Sequence, residues 1–297
     1  MFRLAHLSDV HLAPLPSVTW RQLASKRITG YLNWKRGRGK SMGRATLDAL
    51  TRDLLDRSPD HVVVSGDLTN LALPAEIENA ARWLATLGPP ESVSTVPGNH
   101  DAYVPGAVEA ATTAWAANMT GERRGSAHYP YMRRAGPVAL IGCSTAEATP
   151  PFVAAGPFRA AQAERLERML ADAGRDGAFR VVVIHHPPVR GAAPPLKRML
   201  GIGRFQDVIE RKGAELVLHG HTHLPTQHAI TGRAVPVIGV SAGGQDVRGH
   251  KPAARYNLFE IEGGPGAWRL EQIERGLGED GTEIVEIARR NLAVPRS

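Results

Sequence analysis

At 297 residues, with 42% hydrophobic and 22% charged, the chain can form one large α/β domain; nothing in it suggests disorder or a collagen-like repeat. No uninterrupted apolar run reaches the ~18 residues of a membrane-spanning helix. The formal charge of +7 is local: Arg21, Lys26, Arg27, Lys35, Arg36, Arg38, Lys40 and Arg44 lie between Trp20 and Arg44 with no acid among them, and the rest is nearly neutral. Such a patch implies a local anionic partner or substrate.

In chain order the pattern is strand, turn, helix, repeated. Leu4–Leu7 is a short apolar strand ending at Ser8-Asp9. Residues from about 13 to 43 form an insertion. Ala45–Leu55 has helical spacing through Leu47, Leu50 and Leu54, and stops before Ser58-Pro59. His61–Ser65 is a β-branched strand buried on both faces. Pro74–Leu87 is a helix with proline at its start. Val93–Val96 is a strand, Pro105–Asn118 a helix, Val138–Cys143 a strand and Pro157–Ala173 a long helix. Phe179–Ile184, Phe205–Lys212 and Glu215–Leu218 follow as strand, helix and strand. Then helices fade, and Val235–Val240, Arg255–Ile261 and Trp268–Ile273 read as antiparallel strands. Asn291–Ser297 reads as a frayed tail. Strands alternating with helices, then a strand-rich end, give an α/β layered fold with mixed sheets, one domain over 1–297 carrying the insertion. Met1-Phe2-Arg3-Leu4 runs straight into the first candidate ligands, which leaves no removable leader. The single Cys143 forms no intramolecular disulfide and fits a reducing cytoplasm.

Five strand ends each present Asp, Asn or His: Ser8-Asp9-Val10-His11, Gly66-Asp67-Leu68, Pro97-Gly98-Asn99-His100-Asp101, His185-His186-Pro187 and Gly220-His221-Thr222-His223. In α/β sheets ligands bind beyond the carboxyl ends of strands, so these residues can converge on one rim. Oxygen and imidazole donors together suit Mn, Fe, Zn, Co or Ni better than Ca or Mg. Asp9 and His11, two apart on an extended segment, would point to one side, as would His221 and His223. Gly66, Gly98 and Gly220 would let the chain turn sharply. Seven donors exceed one tetrahedral site and suit two ions sharing a carboxylate. Singly, each motif also has an ordinary structural reading as a turn, a helix cap or a strand-end pair. All five in this order do not.

The set D-x-H, G-D, G-N-H, a strand-end His and G-H-x-H resembles the calcineurin-like metallophosphoesterase superfamily from about Leu4 to His223. The resemblance implies a four-layer α/β/β/α sandwich of two mixed sheets flanked by helices. It implies one metal held by Asp9, His11, Asp67 and His223 and a second by Asp67, Asn99, His185 and His221, with Asp67 bridging and His185 chosen over His186. His219 falls outside the motif and reads as structural. Asn70 stands where relatives often carry Asp. The implied chemistry is metal-dependent hydrolysis of a phosphodiester or pyrophosphate by a hydroxide bridging two transition-metal ions, Mn, Fe or Zn, about 3.5–4 Å apart. His100 is the acid or electrostatic helper, and Asp101 either orients it or caps a turn.

Within the superfamily the spacing is most similar to class III cyclic nucleotide phosphodiesterases and glycerophosphodiesterases. A lipid pyrophosphohydrolase acting on UDP-diacylglucosamine is the alternative enzyme, and a non-catalytic module with the same fold the alternative class. In the insertion, Trp20, Leu23, Ala24, Ile28, Tyr31 and Leu32 recur at three-to-four spacing, with Arg21, Lys26 and Arg36 pointing elsewhere. Residues 20–44 therefore read as an amphipathic helix on an anionic membrane or lipid, which would place the protein in the cytoplasm at the inner face of a membrane. A lid packed on the protein body, or a nucleic-acid patch, are the other readings of the same stripe.

Overall fold

The computed structural model describes residues 1–38, 42–123 and 128–295, so Lys40 of the basic stretch lies outside the described residues. In chain order the first elements are β1 (Phe2–Leu7), α1 (Trp20–Leu23), α2 (Arg27–Asn33), α3 (Arg44–Asp56), β2 (His61–Val64), α4 (Pro74–Leu87), β3 (Val93–Thr95) and α5 (Ala107–Ala114). The middle holds β4 (Glu122–Arg123), β5 (Tyr131–Ala135), β6 (Val138–Gly142), β7 (Gly156–Pro157), α6 (Ala160–Arg175), β8 (Phe179–Val183), β9 (Met199–Leu200) and α7 (Ile202–Lys212). The end is strands: β10 (Leu216–His219), β11 (Gln227–Ile230), β12 (Val235–Gly239), β13 (Arg255–Glu262), β14 (Arg269–Leu277) and β15 (Ile284–Leu292). No helix among the described residues is long and apolar enough to cross a membrane.

Two mixed sheets result, ordered β15-β14-β13-β1-β2-β3 and β11-β12-β10-β8-β6-β5-β4. Alternating side chains show the layering. Val181 and Val183 of β8, with Leu216 and Leu218 of β10, share a core with Leu4, Val62 and Val64 of the first sheet. Val182 and Val217, one residue out of phase, pack instead with Leu166, Leu170, Phe205 and Ile209 of α6 and α7. Helix, sheet, sheet and helix therefore stack as expected, and the central strands are buried on both faces.

Six strands go beyond the sequence reading: β4, β7 and β9, of two residues each, and the longer β5, β11 and β15. β5 contains Arg133 and Arg134, which hide a strand pattern. Arg133 is nonetheless buried, because its guanidinium donates to the carbonyls of Val93 (2.9 Å), Ala117 (2.9 Å) and Thr120 (3.2 Å). β11 is a short edge strand. β15 pairs along β14 through Leu292, so Asn291 and Leu292, expected in a frayed tail, are strand, and Val294 packs on the core; Arg296 and Ser297 lie outside the described residues.

The parallel strands β1, β2 and β3 of one sheet, and β8, β10 and β12 of the other, end at the same edge. A parallel bridge between Ser8 and Ala242 closes the two sheets there. This common end is where all five motifs lie.

Buried histidines outside the candidate ligand set make stability pH-dependent. His61 is buried with Nε2 on the Ser94 hydroxyl (2.9 Å), and burial, then Arg133, lowers its pKa to about 4. His6, on the Ser65 hydroxyl (2.9 Å), is lowered to about 3 by burial and then by His219. Both are neutral in the fold, whereas the unfolded chain takes up their protons below about 6.5. Stability is therefore full above pH ~6.5 and falls as acid is added towards pH ~4, by about 1.4 kcal/mol per pH unit per histidine. Denaturant melts across that window should show a shallower slope for His61→Asn than for the parent; equal slopes would contradict the assignment.

Candidate metal centre

The loop after β1 does not remain extended. Asp9 (φ 52°) and His11 (φ 40°) are left-handed, as are Asp67 (56°), His221 (69°) and His223 (56°). The expectation that Asp9/His11 and His221/His223 share a side through extended backbone is thus corrected: successive left-handed turns aim them inward, while Val10 between them enters the core. Left-handed non-glycine residues cost of order 1–3 kcal/mol each, and their concentration on five candidate ligands marks a functional site.

The motif glycines also act differently from expectation at two positions. Gly66 does use positive φ (102°). At Gly98 and Gly220 the reason is proximity: a Cβ on Gly98 would stand 2.2 Å from Asp67 Oδ1, and one on Gly220 would stand 1.9 Å from Ser8 Oγ and 2.5 Å from Asp9 Oδ2. Neighbouring strand-end loops, within one sheet at Gly98 and between the two sheets at Gly220, abut too closely for any side chain.

All seven candidate ligands converge. One donor atom each from Asp9, His11, Asp67 and His223 lies within 4.8 Å of the others, and all four residues are buried. His223 Nε2 is 3.2 Å from Asp9 Oδ1, and His11 Nε2 is 3.4 Å from His223 Nε2. On the other side, Asn99 Oδ1 stands 3.2 Å from His185 Nε2 and 2.8 Å from His221 Nδ1. Asp67 Oδ2 lies between the groups, 3.8 Å from His11 Nε2 and 3.4 Å from His185 Nε2.

Backbone carbonyls fix which ring nitrogen faces the centre. His11 Nδ1 donates to Thr69 O (2.9 Å), His185 Nδ1 to Ser65 O (2.8 Å) and His221 Nε2 to Lys197 O (2.7 Å). When the ring is neutral, the nitrogen left over carries a lone pair and points at other acceptors; on His185 the neighbouring carboxylates favour a proton there, which a cation would replace. Asp9 Oδ1 is buried beside the His223 ring, 3.2 Å away, without making a well-directed hydrogen bond. Facing lone pairs and an unsatisfied carboxylate oxygen are costly in a protein alone and are what bound cations resolve. The donor set therefore fits transition metal.

The electrostatics agree. Burial opposes charge on both carboxylates, but His223 and His185 hold Asp9, and His185, His100 and His11 hold Asp67, below the usual carboxylate range. Burial would lower His185, yet Asp67 and then Asp9 lift it to about 9. His186 differs from its neighbour: both its nitrogens are taken, by Thr145 Oγ1 (2.7 Å) and Ala154 O (2.9 Å), and burial lowers it to about 3. His219 is bonded to Gly220 O and Thr226 Oγ1, a structural role.

His100 sits in the cleft wall, its backbone N–H donating to Asp67 Oδ1 (2.7 Å) and its Nδ1 to Asn70 O (2.6 Å). Asp101, expected to orient His100, directs its carboxylate elsewhere. It accepts from the amides of Asp67, Thr69 and Gly98 (each 2.9 Å) and from the Thr69 hydroxyl (2.9 Å). It therefore holds the loop bearing Asp67 and the turn from Gly98 that precedes it, and burial together with Asp67 pushes it up to about 7. The carbonyl of Asn70 holds the His100 ring.

The cleft over these residues is about 640 Å³, and Asp67 is its single acidic lining residue. Part of its wall, Gln245, Arg248, His250 and Lys251, went unrecognised in the sequence. The available signal was position: it follows β12, a sixth strand ending at the same edge.

A family model described as calcineurin-like phosphoesterase matches residues 2–225. A probable cyclic nucleotide phosphodiesterase of Synechococcus sp. is 28% identical over 233 residues, which cover 75% of this chain and 80% of that protein. Among solved structures, a dimetal phosphatase from Danio rerio superposes with a TM-score of 0.66 at 13% identity, covering 100% of this chain and 99% of that one. A purple acid phosphatase from yellow lupin gives 0.57 at 14% identity, over 96% of this chain and 52% of its own. At such identities these two structures establish likeness of fold.

Proposed function

Because the chain belongs to the calcineurin-like phosphoesterase family, whose members are metal-dependent phosphoric ester hydrolases, we propose that it hydrolyses a phosphodiester with two transition-metal ions. Asp9, His11, Asp67 and His223 would hold one ion; Asp67, Asn99, His185 and His221 the other. The observation that carries this is the set of histidine rings each anchored to a backbone carbonyl through one nitrogen, with the other nitrogen facing Asp67 or Asn99. When bound, the ions supply an activated water and positive charge for the phosphoryl oxygens. Mn, Fe and Zn suit the mixed nitrogen and oxygen donors. His100 Nε2, with its other nitrogen held by Asn70, protonates the leaving oxygen or stabilises its developing charge. Phosphodiester is favoured over monoester by the 28%-identical cyclic nucleotide phosphodiesterase relative.

A panel containing cyclic nucleotides, glycerophosphodiesters, UDP-diacylglucosamine, monoesters and single-stranded DNA, assayed with added Mn(II), tests this. Fastest turnover on a diester supports the reading; fastest turnover on a monoester overturns it.

The insertion buttresses His100. Arg27 Nε and Nη2 donate to Leu71 O (2.9 Å) and Ala72 O (2.7 Å), while the Glu76 carboxylate accepts from the amides of Asn70 (2.7 Å) and Leu71 (3.0 Å). These contacts fix the loop whose Asn70 carbonyl grips His100. Lys26 stands 4.9 Å over the Tyr103 ring, whose other neighbour is the His100 ring at 5.4 Å. Arg27→Met should keep its metal and its KM and lose roughly tenfold to a hundredfold in kcat, as small misplacements of a catalytic group do. The loss should be largest for poor leaving groups. Unchanged kcat on an alkyl diester would remove Arg27 from this role.

A further inference from the structure

The insertion has a second face. The expected single amphipathic helix is broken between Leu23 and Arg27, and its apolar residues divide. Tyr31 packs against Leu71, Leu73 and Tyr103, and a Cβ on Gly30 would stand 2.4 Å from Tyr103 Oη, so that helix is docked. Trp20 (74% exposed), Ile28 and Leu32 turn outward.

Two further segments continue this surface. Lys26 Nζ bonds Thr149 Oγ1 (2.8 Å) and Val153 O (3.1 Å), which seats α2 against the turn carrying Phe152, 78% exposed and left-handed (φ 66°). Ala154 N bonds Leu196 O (2.8 Å) and Phe158 N bonds Leu200 O (2.8 Å), adding exposed Leu196 and Leu200. Gly37, Ala154 and Lys197, one from each segment, line the cleft, so the protruding side chains surround its mouth. Of the twelve large apolar side chains exposed among the described residues, six lie on these three segments, too many in one place for random scatter.

Charge selects the occupant. Residues 10–47, 148–163 and 186–206 contain no Asp or Glu, and the same stretches expose Arg21, Lys35, Arg36, Arg190, Lys197 and Arg198. We propose that this apolar, carboxylate-free basic rim docks on an anionic lipid bilayer and turns the cleft mouth toward it. Isolated aromatic and leucine tips spread over several turns suit insertion among headgroups, with cations on the lipid phosphates. A nucleic-acid backbone would satisfy the cations and leave Trp20, Phe152 and Leu196 in water. That the substrate is drawn from the bilayer rests additionally on the phosphodiesterase reading; the docking does not.

Cosedimentation of the full chain with vesicles tests it, using phosphatidylcholine alone or mixed with phosphatidylglycerol. Binding is expected to the mixed vesicles at low salt, with little to the neutral ones and loss in high salt. Each cation near an anionic surface is worth about fivefold, so Lys35→Gln with Arg36→Gln should weaken partitioning roughly 25-fold. Trp20→Ser with Phe152→Ser should weaken it roughly tenfold or more. Both double variants should hydrolyse a soluble nitrophenyl diester at the parental rate, which certifies folding and keeps this test separate from that of the function. No binding to anionic vesicles at low salt, or parental binding by both double variants, overturns the proposal. Binding to single-stranded DNA without binding to vesicles also overturns it and assigns the rim to nucleic acid.

Discussion

Asp67→Ala is expected to reduce activity by about 10³-fold or more and to leave the protein short of metal. Asp67 Oδ2 is the donor that reaches both halves of the site, 3.8 Å from His11 Nε2 and 3.4 Å from His185 Nε2, while Oδ1 anchors the backbone of His100. Without it, two cations would face each other with no shared anion. Metal ions contribute several kcal/mol of charge stabilisation to phosphoryl chemistry, and each 1.4 kcal/mol is about tenfold in rate. Parallel elemental analysis and steady-state kinetics check this: full metal content with near-parental activity would remove Asp67 from the centre. The conservative Asp67→Asn keeps the shape and halves the charge available to the pair. Its intermediate loss would attribute the effect to charge rather than to a cavity.

His100→Ala should behave differently, keeping its metal and losing roughly 10²–10⁴-fold on substrates with poor leaving groups. None of the candidate ligand pairs requires the His100 ring, and its Nδ1 is already committed to Asn70 O, so its removal takes away one proton-transfer group at Nε2. With nitrophenol as leaving group little protonation is needed, and the deficit should shrink. The measurement is kcat/KM for an alkyl and a nitrophenyl diester on parent and variant, with metal content in each. An equal deficit on both esters would make His100 an electrostatic or structural group rather than an acid, and an undiminished rate on the alkyl ester would exclude it from the reaction.

The convergence of the candidate ligands was legible because each motif is short, ends a strand and carries its own chemistry. The preference for His185 over His186 rests on the family resemblance, in which the ligand directly follows the apolar strand; in the structure His185 Nε2 reaches Asp67 and Asn99, while Thr145 and Ala154 occupy His186. What was not legible depends on long-range contacts. Arg133 looks like a loop residue until the carbonyls of Val93, Ala117 and Thr120 are brought to it. β15 carries no apolar pattern to mark it as a strand, because an edge strand leaves one side in water. Gly98 and Gly220 read as turn residues, but their lack of a side chain is needed by Asp67, Ser8 and Asp9 approaching from elsewhere. The stripe in residues 20–32 has helical spacing, yet docking on Leu71 and Tyr103 takes Tyr31 inward and leaves Trp20, Ile28 and Leu32 outside. Local spacing cannot distinguish those two fates.

The central claim is that Asp9, His11, Asp67, Asn99, His185, His221 and His223 form a centre for two ions. The most direct measurement is titration of chelator-stripped protein with Mn(II) or Zn(II), followed by elemental analysis after removal of free metal. The account expects saturation close to two ions per chain, with activity returning as the second is taken up. Saturation at one ion per chain, with full activity, would contradict it.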